Sequence, residues 1–177
     1  MKIKKTLTTL ALTGLLTATL AAPALAKDIV YPSATTGDSS VTATVDQTYT
    51  VTIPEKIDFE KLAKDTTATE KPLTVNVSNL LIDKNEVLKI NVKGDDTTTT
   101  NAFTIRTTGG ASIAYEVYNK SKSKVDPTGE FAAVASADTP DTVQDVSGNL
   151  KQTGAVIHSG SYAGTITFTC TVENKTT

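Results

Sequence analysis

Apolar residues alternate with threonine, asparagine, serine or charged residues along most of the chain after residue 40. A period of two places successive side chains on opposite faces of an extended strand, so the pattern predicts strands with one buried face. The longest such run, residues 162–172, lies opposite an almost pure threonine face. The positions that we expect to point inward are Tyr49, Val51, Ile53, Leu73, Val75, Val77, Leu88, Ile90, Val92, Phe103, Ile105, Ile113, Tyr115, Val117, Tyr162, Gly164, Ile166, Phe168, Cys170 and Val172.

Turn-forming residues separate these segments at short intervals, as at residues 109–110, 119–129 and 147–149. Short strands with frequent turns and no 3.6-residue period predict an all-β fold, an antiparallel immunoglobulin-like β-sandwich. Two segments have no clear pattern. Residues 57–68 fit either a short helical turn or a loop between sheets, and residues 131–137 are too rich in alanine to assign.

The first 26 residues predict a secretory signal peptide. Three lysines within the first five residues precede an apolar stretch over residues 7–20, and small residues follow at Ala24 and Ala26. This order predicts export and cleavage after Ala26. The apolar stretch is shorter than the roughly 20 apolar residues of a membrane span, so we expect no membrane insertion after cleavage. Since the sequence shows no lipid-anchor cysteine and no sortase-type sorting signal, we expect a secreted, extracellular protein that is released or retained non-covalently at the cell surface.

Behind the signal peptide, residues 27–40 predict a flexible N-terminal arm and residues 41–177 a single β-sandwich domain, of a size normal for one domain. Lys2, Lys4 and Lys5 leave with the signal peptide, whereas all 19 acidic residues stay, so the mature chain is more acidic than the whole-chain charge of −2. An acidic surface argues against nucleic acid or an anionic membrane as a partner.

The chain offers few side chains for catalysis or for metal binding. His158 is the only histidine and Cys170 the only cysteine. The neighbours of His158 suggest no Ser-His-Asp triad. Cys170 occupies an inward position in the alternating pattern, which predicts core packing; the alternative is an intermolecular disulfide. Zinc sites need clustered Cys and His, and the acidic turns lack the spacing of a calcium loop. We therefore expect a protein that is not an enzyme and that uses no cofactor or metal.

Two short segments are candidates for contact with partners. Ile29, Val30 and Tyr31 in the arm can add as a strand to the sheet edge of a neighbouring subunit, although a disordered leader is the simpler interpretation. Lysines alternate with serine in the loop at residues 119–124 and can bind an acidic cell-wall polymer; the alternative is a solvated loop. The three lysines are Lys120, Lys122 and Lys124.

Several segments resemble a group of small secreted β-sandwich proteins of Gram-positive bacteria, most of which have no assigned function. They are residues 40–45 (SVTATV), 49–54 (YTVTIP), 80–92 (LLIDKNEVLKINV) and 160–168 (GSYAGTITF). In that group a strand ending in Thr-Ile-Pro precedes an edge with a Leu-x-x-Gly-like turn, and the chain closes on Gly-x-Tyr-x-Gly-Thr-x-Thr-Phe. The closing element is also similar to the last strand of fimbrial and other surface subunits. This resemblance implies a structural or adhesive role outside the cell, by analogy of fold.

Two functional hypotheses follow from these observations. The first is a non-enzymatic structural or adhesive protein of the cell surface or extracellular matrix, such as a subunit of a non-covalent fibre, whose partners are further copies or other surface subunits. The second is a soluble secreted module that binds a cell-wall polymer, a glycan or a host protein through the loops at residues 97–101 and 119–129, because binding residues concentrate on loops carried by a rigid scaffold.

Overall fold

The computed structural model describes residues 39–65, 68–95, 102–136 and 142–175. The predicted signal peptide, the arm residues Ile29, Val30 and Tyr31, and the loop at 97–101 lie outside the described residues. Contacts divide the chain into compact units at Met1–Thr44 and Val45–Thr177. Within the first unit the structure describes residues 39–44, which are exposed and belong to no strand. All the strands of the described residues belong to the second unit.

The described residues form eleven strands and no helix, and every ladder between the strands is antiparallel. Three sheets have the orders β1-β3-β9, β2-β10-β6-β5 and β11-β4-β8, and β7 also pairs with β6. This architecture confirms the predicted all-β, antiparallel β-sandwich. The strands are β1 (Thr48–Thr52), β2 (Glu70–Leu73), β3 (Asn76–Leu81), β4 (Glu86–Gly94), β5 (Thr104–Arg106), β6 (Ser112–Tyr118), β7 (Lys124–Val125), β8 (Glu130–Ala135), β9 (Gln144–Asp145), β10 (Gly148–Gln152) and β11 (Ile166–Asn174).

One apolar core joins the inner faces of the sheets. In β4 and β6 the predicted alternation is confirmed, because every second side chain is buried and the residues between them are more exposed. Burying such a side chain away from water contributes about 1.5–3 kcal/mol to the stability of the fold. The core residues that match the predicted inward positions are Leu73, Val75, Val77, Leu88, Ile90, Val92, Phe103, Ile113, Tyr115 and Val117.

β1 departs from the predicted pattern. Val51 is half-buried, but Tyr49 and Ile53 are 40% and 44% exposed, so the inward prediction for these two residues was wrong. The ladder between β1 and β3 shifts register between Thr48 and Thr50. A bulge of this kind interrupts strict alternation, and β1 is also the edge strand of its sheet. Ile53 lies beyond the end of β1.

The two unassigned segments have definite structures. Residues 57–65 are irregular, with a turn at residues 64–65 and no helix. Residues 130–135 form β8, whose ladder with β4 shifts register beside Ile90 and Asn91. Because of this shift Phe131 is an extra residue in β8, and it points into the core with Val134 rather than alternating with it.

The last strand begins later than its alternating pattern predicts. Tyr162 and Gly164 precede β11, and Ala163 forms an isolated bridge with Arg106, with N···O distances of 2.7 and 2.9 Å. A Cβ on Gly164 would lie 2.4 Å from the carbonyl oxygen of Thr104. The chain therefore passes close against β5 at a residue without a side chain before it enters the sheet of β4.

Candidate functional site

The nine-residue strand β11 forms the edge of its sheet. Its ladder with β4 runs without a register shift from Ile166 to Asn174, and no other described strand pairs with it. Residues 166–172 (ITFTCTV) contain no charge, proline or glycine. Natural edge strands usually carry lysine, proline or a bulge that prevents pairing with another chain. β11 has none of these over residues 166–172, so its outer edge is a template for a further strand.

Hydrogen bonds around β4 determine which backbone groups of β11 face this free edge. Lys175 N–H donates to the carbonyl of Asn85 at 2.7 Å, which places odd-numbered residues of β11 in hydrogen-bonded pairs with β4. On its other side, β4 bonds through Val92, whose carbonyl accepts from Thr128 N–H at 2.9 Å. Because an antiparallel ladder alternates, the even-numbered residues of β11 direct their N–H and C=O groups outward. These residues are Ile166, Phe168, Cys170, Val172 and Asn174.

A groove of about 1060 Å³ adjoins the same strand. Ile166 and Phe168 line it together with the segment at residues 53–62 and with side chains of β6 and β10. The inner side chains of β11 are half-buried, whereas Leu88 and Ile90 on the neighbouring β4 have no exposed surface. The apolar surface beside β11 therefore has room for additional side chains.

The segment at residues 53–62 is attached to the sandwich by side chains. The rings of Phe59 and Tyr115 lie 5.9 Å apart, and Lys71 pairs with Glu60 at 2.6 Å. Hydrogen bonds from Lys56 and from the Glu60 backbone N–H lower the pKa of Asp58. No described strand forms a ladder with this segment. The groove is thus lined both by a segment without β-pairing and by side chains of β11, one edge of which is unpaired.

His158 lies in the lining of this groove, and Cys170 lies in the strand beside it. The carbonyl of His158 accepts a hydrogen bond from the Tyr162 hydroxyl at 2.8 Å. Cys170 packs against the core, and burial raises the pKa of its thiol, which disfavours the nucleophilic thiolate. Within the described ranges, no three His, Cys, Asp or Glu side chains are grouped to hold a metal ion.

Two lysines of the predicted loop pair with neighbouring carboxylates. Lys120 lies 3.4 Å from the carboxylate of Asp145, and Lys124 lies 2.6 Å from that of Glu116. Lys122 is exposed at the tip, with a φ of 60°. The structure therefore pairs two of the three candidate lysines within the molecule, which weakens the loop as a site for an acidic polymer.

The pKa of Glu116 should respond to loss of Lys124. The hydrogen bond from Lys124 lowers this pKa most, and the hydrogen bond from the Tyr118 hydroxyl lowers it further. Their contribution to stability is present above the pKa of Glu116 in the unfolded chain and is lost as pH falls through the folded-state value. We expect Lys124→Met to raise the pKa of Glu116 in a carboxyl ¹³C NMR titration. Lys120→Met, which removes the partner of Asp145, is the control that should leave Glu116 unchanged; an unchanged pKa in both variants would contradict the pairing.

Comparisons with known proteins support the fold. No protein-family model matches the sequence, and no curated protein is similar to it. A chain from a chaperone–tip adhesin complex that is vital for synergistic activation of CFA/I fimbriae biogenesis matches 70% of this chain, with a TM-score of 0.53 and 14% identity. The match spans 42% of that chain. At this identity the likeness shows a shared β-sandwich fold, and the function must be argued from the surfaces of this molecule.

The described residues contain no helix that is both long and apolar enough to cross a membrane.

Proposed function

We propose that this chain is a secreted, non-enzymatic structural or adhesive protein of the bacterial cell surface or extracellular matrix, which associates with further subunits through a sheet edge. The observation that carries the proposal is the unprotected edge of β11 beside a groove that Ile166 and Phe168 help to line. Addition of a strand to an exposed edge is a common mode of protein association, in which main-chain hydrogen bonds supply affinity and side-chain pockets supply specificity.

Three further observations support this proposal. The sequence predicts export, and the fold is shared with a chain of a fimbrial complex. An extended edge of uncharged, β-branched and aromatic residues carries an aggregation risk when it stays uncovered. A partner that covers β11 removes that risk, so association gives a physical reason for the composition of the strand.

A charge on the edge tests the association. We expect Thr169→Lys, on the exposed face of β11, to convert associated mature protein into monomers in sedimentation velocity, because lysine on an edge strand opposes further pairing. Thr74→Lys is the matched control, since Thr74 is exposed and lies outside every strand. Association that survives Thr169→Lys, or wild-type protein that is monomeric at all concentrations, would show that this edge is not the contact.

Cell fractionation tests the location independently. An antibody against the mature chain should detect it in the surface or matrix fraction of producing cells, with release by concentrated salt if retention is non-covalent. Electron microscopy of that fraction would show whether the protein is part of fibres. Recovery of the protein only from the cytoplasm would refute the proposed location.

The groove favours a second candidate, a soluble module that binds a glycan or a host protein. Its volume of about 1060 Å³ and its lining by Tyr162 and Phe168 suit a ligand that offers apolar surface. A glycan array and a cell-wall pull-down distinguish this function from the first. Phe168→Ala should abolish ligand binding if the ligand occupies the groove, whereas Lys122→Ala should abolish it if the ligand occupies the lysine loop.

A further inference from the structure

We propose that the partner of β11 is β11 of a second copy, paired antiparallel about a two-fold axis at Cys170. This inference deepens the proposed function by naming the partner of the free edge. The two three-stranded sheets would join into one continuous sheet that spans both copies. Such an isologous contact uses the same surface on both molecules and closes at a dimer.

The positions of the outward-facing backbone groups along β11 suit this pairing. When an antiparallel strand pairs with itself about residue 170, each even-numbered residue lies opposite an even-numbered residue of the other copy. The outward-facing N–H and C=O groups all belong to even-numbered residues, so the two edges present matching donors and acceptors. Residue 170 is also the middle of β11, Ile166–Asn174, so an axis there pairs the whole strand.

The side chains are compatible in the same register. On the inner face, Phe168 would lie opposite Val172 of the second copy, and aromatic pairs with β-branched residues stabilise antiparallel sheets. On the outer face, Thr167 would lie opposite Glu173 of the second copy, and Thr169 opposite its Thr171. No like charges face each other, and Glu173 already pairs with Lys89 of its own chain at 3.0 Å.

Burial gives a further reason for the contact. Four inner side chains of β11 pack against the buried core but remain half-buried themselves. A second β11 would cover their outer flank with the same uncharged sequence. The side chains concerned are Ile166, Phe168, Cys170 and Val172.

Disulfide trapping tests both the contact and its register. In a Cys170→Ser background, Thr167→Cys and Glu173→Cys are combined, because these positions would form a non-hydrogen-bonded pair between copies. The Cα atoms of such a pair lie about 4.5 Å apart, within the range of a disulfide. Diamide oxidises the two thiols to the disulfide and is itself reduced to the hydrazine. We expect most of the double variant to migrate as a covalent dimer in non-reducing electrophoresis.

Matched variants make the test specific to the register. Each single variant should give no covalent dimer, since like cysteines of the two copies would lie about 20 Å apart at about 3.4 Å per residue. The combination of Thr167→Cys with Thr171→Cys, which suits an axis one residue away, should give little dimer. All the substituted positions except Cys170 are on the outer face, and thermal unfolding by circular dichroism checks that each variant is folded.

The outcomes separate this inference from the proposed function. Absence of the Thr167–Glu173 crosslink in folded protein overturns the β11 pairing, whether or not the protein is found at the cell surface. If association instead disappears on deletion of residues 27–40, the arm is the partner, and the surface function stands without the β11 pairing. A specific crosslink in a protein found only in the cytoplasm confirms the pairing and refutes the surface function.

Discussion

Replacing Gly148 with alanine is expected to destabilise the sandwich by about 3 kcal/mol or more. A Cβ at this position would lie 2.0 Å from the carbonyl oxygen of Tyr118 and 3.0 Å from Cε2 of Phe131. The first of these atoms is backbone, so a rotamer change cannot relieve the clash. Relief requires β10 to move away from β6, with which it pairs through Asn149 and Leu150.

Urea unfolding followed by circular dichroism measures this loss. Gly109→Ala is a suitable control, because its Cβ would meet only the Thr107 hydroxyl, at an ordinary distance of 3.7 Å. We expect the midpoint to fall strongly for Gly148→Ala and little for Gly109→Ala. Equal midpoints in the two variants would mean that β10 and β6 do not approach each other so closely.

The fold was most predictable where a strand has one face fully covered. In β4 and β6 the core selects apolar side chains at every second position, so alternation alone identifies the inner face. The pattern fails at bulges, because an extra residue changes the parity within one strand. For this reason β8 had no clear pattern and Tyr49 was wrongly predicted to point inward, whereas the inward prediction for Ile53 failed because this residue lies beyond the end of β1.

The candidate site was less predictable because it depends on which strands are neighbours. The sequence predicts a strand at residues 166–172, but it does not show that this strand is an edge. That property follows from pairing with β4, which lies some 80 residues earlier in the chain. Long-range pairing of this kind leaves no local signal, although the absence of charge in β11 is visible in the sequence once its position is known.

The lysine loop illustrates the same limit for side chains. Its alternation of lysine with serine is a local feature that the sequence alone shows. The carboxylates that pair with it belong to Asp145 in β9 and Glu116 in β6. Because these strands are brought to the loop by the sheet, the local sequence predicts more free positive charge than the folded molecule presents.

Replacing Phe131 with alanine is expected to cost about 3–5 kcal/mol of stability. The side chain is 2% exposed, and its ring meets that of Phe168 edge to face, with centroids 6.3 Å apart and an interplanar angle of 89°. Truncation removes this ring contact and leaves a cavity beside Phe168 in the core. Urea unfolding measures the loss, and Phe131→Leu should lose less because it retains most of the volume.

A double-mutant cycle with Phe168→Ala measures how firmly the inner face of β11 is attached to this core. Phe168 is half-buried, so its single truncation should cost less than that of Phe131. An edge-to-face pair contributes about 0.5–1.5 kcal/mol of stability in addition to the burial of apolar surface. The double variant should therefore lose less stability than the sum of the two single losses, and the difference should equal this pair energy. Additive losses would mean that the two rings are not coupled. Coupling would show that β11 is held in position from within, so that its outer edge is presented to a partner as a formed strand.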